Sequence, residues 1–161
     1  MTIDFILNGE DVVIRTDGEN RLSDILRGNF RLLRAKAGCY IGTCGSCSVI
    51  FNGDVVKSCL IPAFKIRNSE IITIEGFSQT VEYQDIVHGF SEAGVENCGF
   101  CNTGKILATE ALLGRNPRPS REQILVAFHD IRCRCTEPES LVRGVTAVVE
   151  YRRRRLYGRS S

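Results

Sequence analysis

Apolar residues recur with one spacing in the first part of the chain and with another in the second part. Residues 3–7 alternate apolar and more polar positions, which is the period of a half-buried strand. Asn8-Gly9 and Asn52-Gly53 each separate two apolar runs and predict hairpin turns, and apolar residues at helical spacing within 22–26 predict one short helix. The predicted strands are 3–7, 12–14, 48–51, 54–56 and 71–74. These elements predict a small mixed sheet crossed by one helix.

After Gly76 the apolar period changes from two to about 3.6, which is typical of amphipathic helices. Ser120 with Gln123, and Thr136 with Glu139, have the spacing of capping boxes and predict two helix starts. The predicted apolar faces are Ile86, Val87 and Phe90; Ile106, Leu107, Leu112 and Leu113; Ile124, Leu125 and Phe128; and Leu141, Val145 and Val148. We therefore expect an α+β fold with a sheet-rich domain at 1–76 and an all-α domain at 82–161, its four helices in antiparallel pairs.

Composition narrows the class of protein. Hydrophobic residues make up 43% of the chain, and no apolar run approaches the ~20 residues that cross a bilayer. The first residues lack the pattern of a secretory signal, so we expect a cytoplasmic protein that does not enter a membrane. Eight cysteines in such a chain favour metal binding or redox chemistry over a disulfide framework.

The formal net charge of +2 depends on an arginine-rich C-terminus, formed by Arg152, Arg153, Arg154, Arg155 and Arg159. Without these residues the rest of the chain is net negative. No base-reading motif accompanies the arginines, so nucleic acid is not an expected partner. A solvated end or a docking arm for another subunit remain the alternatives.

The first cysteine set is compact. Four and then two residues separate Cys39, Cys44 and Cys47, and Cys59 follows later; this is the plant-type [2Fe-2S] spacing. Three thiolates from one loop must converge on two irons, so Gly42 and Gly45 are expected to allow left-handed turns and to point amide N–H groups at sulfur. A structural zinc site is the alternative, although zinc ligands more often come as two pairs on short knuckles.

The second cysteine set consists of two separated pairs, Cys98 with Cys101 and Cys133 with Cys135. Taken alone, this spacing allows either zinc or iron–sulfur. Cys98 and Cys101 fall at the start of one predicted helix, and Cys135 directly precedes the predicted cap of another at Thr136. Helix N-termini favour the negative charge of a thiolate-bound cluster. Arg132 and Arg134 either add positive charge or are simply solvated.

The segments in which these cysteines lie resemble the two-cluster iron–sulfur subunit of the xanthine dehydrogenase group of molybdenum hydroxylases. The resemblance covers almost the whole chain. It is carried by Ile25-Leu26-Arg27, Gly38-Cys39, Gly42-Thr43-Cys44-Gly45-Ser46-Cys47, Ser58-Cys59-Leu60, Thr73-Ile74-Glu75-Gly76, Cys98-Gly99-Phe100-Cys101, Ala111-Leu112-Leu113, Asn116-Pro117 and Cys133-Arg134-Cys135-Thr136.

The resemblance implies a ferredoxin-like β-grasp domain followed by a four-helix domain, with one [2Fe-2S] cluster on each cysteine set. It further implies a hetero-oligomer with a molybdopterin-binding large subunit near the second cluster and an FAD-binding medium subunit toward the first. Asn97 stands where the family has a pterin-contacting Gln. Asn102-Thr103-Gly104-Lys105 and Glu137-Pro138 replace the usual Thr-Pro-Gly-Met and Gly-Tyr.

The predicted function is therefore one-electron relay by a subunit without a substrate pocket or catalytic side chains of its own. His88 and His129 are expected to be surface or packing residues, and Ser46 and Ser48 lack a partnered base. Two rival functions remain. One is a free-standing ferredoxin that shuttles between enzymes, and the other is a zinc-stapled interaction module.

Overall fold

The N-terminal half forms one mixed five-stranded sheet. The computed structural model describes residues 1–36, 38–42, 45–95, 102–129, 131 and 136–158. The strands are β1 (Thr2–Leu7), β2 (Glu10–Arg15), β3 (Ser48–Phe51), β4 (Asp54–Lys57) and β5 (Glu70–Ile72). Their order in the sheet is β2-β1-β5-β3-β4; β1 and β5 are parallel, and the other neighbours are antiparallel.

Both predicted hairpin turns are present. Asn8 and Gly9 have φ of 50° and 83°, and Asn52 and Gly53 have φ of 48° and 90°. Two consecutive left-handed residues are typical of a type I′ turn, whose twist matches that of the flanking strands. The alternation in β1 buries Ile3, Phe5 and Leu7. These side chains share a hydrophobic cluster with residues of helix α1 (Leu22–Asn29), which covers the sheet as predicted.

The predicted strand at 71–74 is two residues too long. β5 ends at Ile72, and Ile74 begins the single-turn helix α2 (Ile74–Phe77). The Thr73 N–H donates to Asn8 Oδ1 at 2.8 Å, and Asn8 Nδ2 donates to Thr73 Oγ1 at 3.0 Å. The Thr73 N–H is therefore bonded to a side chain of the first hairpin turn and not to a neighbouring strand, and β5 ends before it.

The C-terminal half is helical. Its helices are α3 (Val81–Glu92), α4 (Asn102–Arg115), α5 (Arg121–Ala127) and α6 (Pro138–Tyr157). The capping box of Ser120 and Gln123 is confirmed by both of its hydrogen bonds. The predicted box of Thr136 and Glu139 is wrong. Glu137 is the N-cap of α6 with Pro138 at the first position, where proline's missing N–H and fixed φ suit a helix start.

Helices α3 and α6 pack tightly and run antiparallel. Gly89 of α3 faces Val148 of α6, and Gly144 of α6 faces Phe90, so rising residue numbers on one helix meet falling numbers on the other. A Cβ on Gly89 would lie 2.6 Å from Val148 Cα, a distance that real side chains do not reach. The two glycines therefore set how closely these helices approach.

Part of the arginine-rich C-terminus locks this helix pair. Arg155 donates from Nε to Oδ1 of the buried Asp85 at 2.7 Å, and Arg152 Nε donates to Asp85 Oδ2 at 3.0 Å. Arg152 also donates to Glu110 of α4 at 3.0 Å. Burial raises the pKa of Glu110, and the charge of Arg152 opposes that rise. The expectation of a solvated end or docking arm is thus wrong for the partly buried Arg152, whereas Arg155 is exposed although it pairs with Asp85. Arg153 and Arg154 are exposed, and Arg159 lies outside the described residues.

The α+β fold class is confirmed, with a ferredoxin-like sheet domain followed by a helical domain. One hydrophobic cluster lies between the sheet and α1, and another lies among the helices. Ile50 of β3 belongs to the helical cluster, so the two halves share apolar contact. Within the described part of the chain, no helix has both the length and the apolar character needed to span a bilayer.

Candidate metal centre

The first cysteine loop turns through left-handed backbone positions. Gly42 and Gly45 have φ of 79° and 75°, and Tyr40 has φ of 59°. The two predicted glycine turns are therefore present. A Cβ on Gly42 would also lie 2.5 Å from Leu60 Cδ1, beside Cys59 in the sequence. Glycine at this position permits both the turn and the close approach of the segment that carries Cys59.

Three predicted ligands of the first set come together. Cys47 and Cys59 are buried, and Cys39 is half-buried. Burial, followed by a hydrogen bond with Cys47 and the nearby charge of Cys47, raises the pKa of Cys59 to about 11. The Gly42 N–H donates to the Cys59 sulfur and opposes that rise. Cys44 lies outside the described residues, so its position relative to these thiols stays a prediction.

Serine side chains fix the backbone that carries these thiols. Cys59 lies in a single 3₁₀ turn, Ser58–Leu60, directly after β4. Ser58 Oγ donates to the Cys47 carbonyl at 2.6 Å, and Ser48 Oγ donates to the Gly45 carbonyl at 2.6 Å. Ser46 Oγ donates to the Lys36 carbonyl at 2.7 Å. The loop is therefore tied both to β4 and to the segment that precedes it.

The donor set fits an iron–sulfur cluster in its chemistry. Thiolate sulfur is the ligand of Fe–S clusters, and an amide N–H directed at sulfur helps to set their potential. Among the described residues, no group of three or more His, Cys, Asp or Glu side chains is arranged to hold a single metal ion. Cys47 lies within hydrogen-bond reach of Cys59, and Cys39 lies near enough to contribute to the raised pKa of Cys59.

The predicted ligands of the second set and Asn97 all lie outside the described residues. The ligands are Cys98, Cys101, Cys133 and Cys135. Their described neighbours are informative. The described part of helix α4 runs from Asn102, which follows Cys101 in the sequence, and Thr136 precedes the N-cap of α6. The two predicted helices are present here, although α6 is capped at Glu137 and not at Thr136; the place of Cys98 and Cys101 at a helix start stays a prediction.

The segment after Cys101 packs on the first cysteine loop. A Cβ on Gly104 would lie 2.8 Å from the carbonyl oxygen of Gly45. Thr103 Oγ1 donates to the Arg34 carbonyl at 3.4 Å. The first turn of α4 therefore meets the loop between two predicted ligands, Cys44 and Cys47.

Both halves match families that bind the same kind of cluster. Residues 5–70 match the 2Fe-2S iron-sulfur cluster binding domain, and residues 73–146 match the [2Fe-2S] binding domain. The chain is 45% identical to the nicotinate dehydrogenase small FeS subunit of Eubacterium barkeri, over 84% of this chain and 87% of that protein. It is 32% identical to the nicotine 6-hydroxylase small subunit of Paenarthrobacter nicotinovorans, over 89% of this chain and 86% of that protein.

Solved structures agree with these relatives. Quinoline 2-oxidoreductase from Pseudomonas putida contains a chain that matches with a TM-score of 0.84 and 33% identity, over 95% of this chain and 96% of that one. The aldehyde oxidoreductase of Desulfovibrio desulfuricans matches with a TM-score of 0.85 and 34% identity, over 94% of this chain but 17% of that longer one. This chain belongs to the iron–sulfur subunits of the xanthine dehydrogenase family of molybdenum hydroxylases. Its two domain matches mean that it carries two [2Fe-2S] clusters.

Sequence reasoning missed three features of this molybdenum hydroxylase subunit. The serines beside the cysteines have no base for nucleophilic chemistry, but their position between ligands is a signal for backbone hydrogen bonds. The contact of Gly104 with Gly45 joins residues far apart in sequence and has no local signal. Lys105 is buried with 0% exposure, whereas a lysine in a sequence is ordinarily assumed to lie at the surface.

Proposed function

We propose that this chain relays single electrons between a molybdopterin site and a flavin subunit of a molybdenum hydroxylase-type oxidoreductase. Cys39, Cys44, Cys47 and Cys59 would hold the first cluster, and Cys98, Cys101, Cys133 and Cys135 the second. When bound, a [2Fe-2S] cluster accepts and releases one electron. The chain contributes thiolate ligands, burial that excludes water, and the Gly42 N–H directed at the Cys59 sulfur.

The contact of Gly104 with Gly45 carries this proposal. It places the turn that follows Cys101 in van der Waals contact with the loop that carries Cys39 and Cys47. Only glycine at position 104 allows this approach, since any Cβ there would lie 2.8 Å from a backbone oxygen. A subunit that passes electrons internally needs its two cysteine segments adjacent, whereas two independent zinc staples would not.

The chain works as part of a hetero-oligomer, as the named small subunits among its relatives do. We propose a molybdopterin-binding large subunit beside the second cysteine set, with Asn97 directed toward the pterin, and an FAD-binding medium subunit beside the first. Tyr40 and Ile41 within the first loop, and Leu60 beside Cys59, have exposed side chains that support a partner surface there. A cytoplasmic location fits a protein whose cysteines must stay reduced to bind iron.

We also propose that residues 1–76 and 82–161 form the two cluster domains. The separate hydrophobic clusters support this division. The two domains share some core residues, because Ile50, Ile74 and Phe77, which precede residue 82, pack with the helices. The two domains are therefore expected to unfold with some coupling.

Paired cysteine variants test the assignment of ligands. Cys44→Ser is expected to remove one of two [2Fe-2S] signals in the EPR spectrum of the reduced, iron-loaded protein, and Cys101→Ser the other. Far-UV circular dichroism should show unchanged helix content in both variants. Loss of both signals from either folded variant would contradict two independent cysteine sets.

Analysis of native material tests the complex. Protein purified from its source should be brown, contain iron and acid-labile sulfide, and elute in a complex that contains molybdopterin and flavin. Bound zinc in place of iron would contradict the relay. Elution of the iron-loaded chain alone, near its mass of 17.9 kDa, would instead indicate a free shuttle.

A further inference from the structure

A second stripe of side chains runs along the C-terminal half of α6, beside the buried face that carries Val145 and Val148. Its members recur at steps of three and four residues, the spacing of one helix face, and are Val149, Arg152, Arg153, Leu156 and Tyr157. Leu156 is 59% exposed and Tyr157 is 76% exposed. Exposed apolar side chains are common on soluble proteins, so the surroundings of this pair decide what it means.

This stripe forms one wall of a groove. The other wall is the end of α4 and the loop that follows it, which contribute Leu113, Pro117 and Arg118. The groove has a volume of about 320 Å³, and it adjoins a cavity of about 260 Å³ that shares Arg118, Val149 and Arg153. Ligand pockets have volumes of about 300–1,000 Å³. The groove is therefore large enough for a few side chains of another molecule.

The groove is positively charged. Its described lining residues include three arginines and no carboxylate. Arg152 is already paired with two carboxylates, whereas Arg153 has only the exposed Glu150, at 3.5 Å. Arg118 is exposed, and no carboxylate in the described part of the chain pairs with its guanidinium. The groove therefore offers positive charge without a counter-charge, next to apolar surface.

Helix electrostatics do not account for a cation at position 118. Arg118 lies two residues before Ser120, the N-cap of α5, and positive charge near a helix N-terminus is unfavourable. Arginines in the last turn of α6 stabilise the C-terminal end of that helix, but this reason does not extend to a residue of the loop. A guanidinium can form two parallel hydrogen bonds with one carboxylate, and arginine clusters are a recurrent means of binding acidic segments.

The helical domain holds the groove in shape. Arg152 and Arg155 bind the buried Asp85 of α3, so the C-terminal end of α6 is tied to its neighbouring helix. Val149 packs against the hydrophobic cluster of the helices. A surface that is ordered before binding loses less conformational entropy when a partner binds. The groove is therefore suited to bind a segment without rearranging.

We propose that this groove binds an acidic segment of a partner subunit. A carboxylate of that segment pairs with Arg118 and Arg153, and its apolar side chains pack on Leu156 and Tyr157. The inference rests on the proposed function, because it gives the chemistry by which one member of the hetero-oligomer holds this chain. The arginine-rich C-terminus then has two roles, since Arg152 stabilises the fold and the exposed Arg153 contacts the partner.

Photo-crosslinking in the native complex tests the proposal. A photoreactive phenylalanine analogue replaces Tyr157, and the complex is purified from its source and irradiated. Mass spectrometry is expected to identify a cross-link to a copurifying subunit, in a peptide that contains both acidic and apolar residues. The control carries the same analogue in place of Val13, which is 68% exposed on β2, and should not give this cross-link.

A synthetic peptide with the sequence of the cross-linked segment measures the role of charge. Its binding to the full, iron-loaded chain is followed by fluorescence anisotropy. Arg118→Glu is expected to weaken binding about tenfold, because the new carboxylate repels that of the peptide. The matched control is Arg15→Glu, which reverses an exposed charge on β2 and should change the affinity less than about twofold. Unchanged circular dichroism and EPR signals should show that both variants are folded and loaded.

The outcomes separate this inference from the proposed function. An intact complex in which position 157 gives no cross-link, or cross-links only to this chain or to a second copy of it, would overturn the inference and leave the proposed function standing. Equal affinities of Arg118→Glu and Arg15→Glu for the peptide would also overturn it. Elution of the iron-loaded chain without other subunits would overturn the proposed function, and this inference with it.

Discussion

The two halves of this subunit hold their cysteine segments in different ways. In the sheet domain, Cys39 and Cys47 lie within one short loop, and glycine turns together with serine hydrogen bonds shape it locally. In the helical domain, thirty-one residues lie between the two cysteine pairs, and the helices beside them are positioned by contacts between distant residues. A site built from one loop depends on backbone conformation, whereas a site built between helices depends on their packing.

The arginine lock of the helical domain should give the largest effect. Asp85→Ala leaves Arg152 and Arg155 without their shared buried carboxylate, and each hydrogen bond to a charged group is worth about 1.5–3 kcal/mol. We expect a lower melting temperature, with the second EPR signal lost at a lower temperature than the first. Glu150→Ala is the control, since its pair with Arg153 is exposed and is worth less than about 1 kcal/mol. Loss of both signals at the same temperature would contradict an effect confined to the helical domain.

The close approach of α3 and α6 should give an intermediate effect. In Gly89→Ala the new Cβ would lie 2.6 Å from Val148 Cα, so the helices must separate, at a cost of about 1–3 kcal/mol. Gly114→Ala is the matched control, because nothing lies within 4 Å of its Cβ position in α4. There the same substitution should stabilise the chain by about 0.4–1 kcal/mol. Chemical unfolding of both variants measures the difference, and equal effects would exclude tight packing at Gly89.

The first loop should respond to a smaller, local change. Gly42→Ala forces a left-handed backbone on a residue with a Cβ, at a cost of roughly 1–2 kcal/mol. The half-exposed Leu60 side chain can move aside, so the expected result is an altered first EPR signal with little change in melting temperature. Gly28→Ala in α1, where nothing lies within 4 Å, is the control. A change in the second signal alone would contradict the assignment of this loop to the first cluster.

Much of the fold was predictable from short segments of sequence. The turns at Asn8-Gly9 and Asn52-Gly53, the buried face of α1 and the cap at Ser120 each follow from local preferences, and the structure contains all of them. The first cysteine loop was predictable for the same reason, because three of its cysteines and both of its glycine turns lie within residues 39–47. The predicted cap at Thr136 is wrong: Glu137 is the N-cap of α6, and Pro138 takes the first helical position, where its fixed φ and missing N–H suit a helix start.

The sequence by itself determined the α+β division, the hairpins, the helix faces and the spacing of eight candidate ligands. Only the tertiary structure decided that Arg152 and Arg155 clamp Asp85, that Gly104 meets Gly45, and that Lys105 is buried beside Thr136. The reason is physical. Turn and cap preferences depend on a few neighbouring residues, whereas the burial of a charge and the contact of two backbones depend on which distant segments fold against each other.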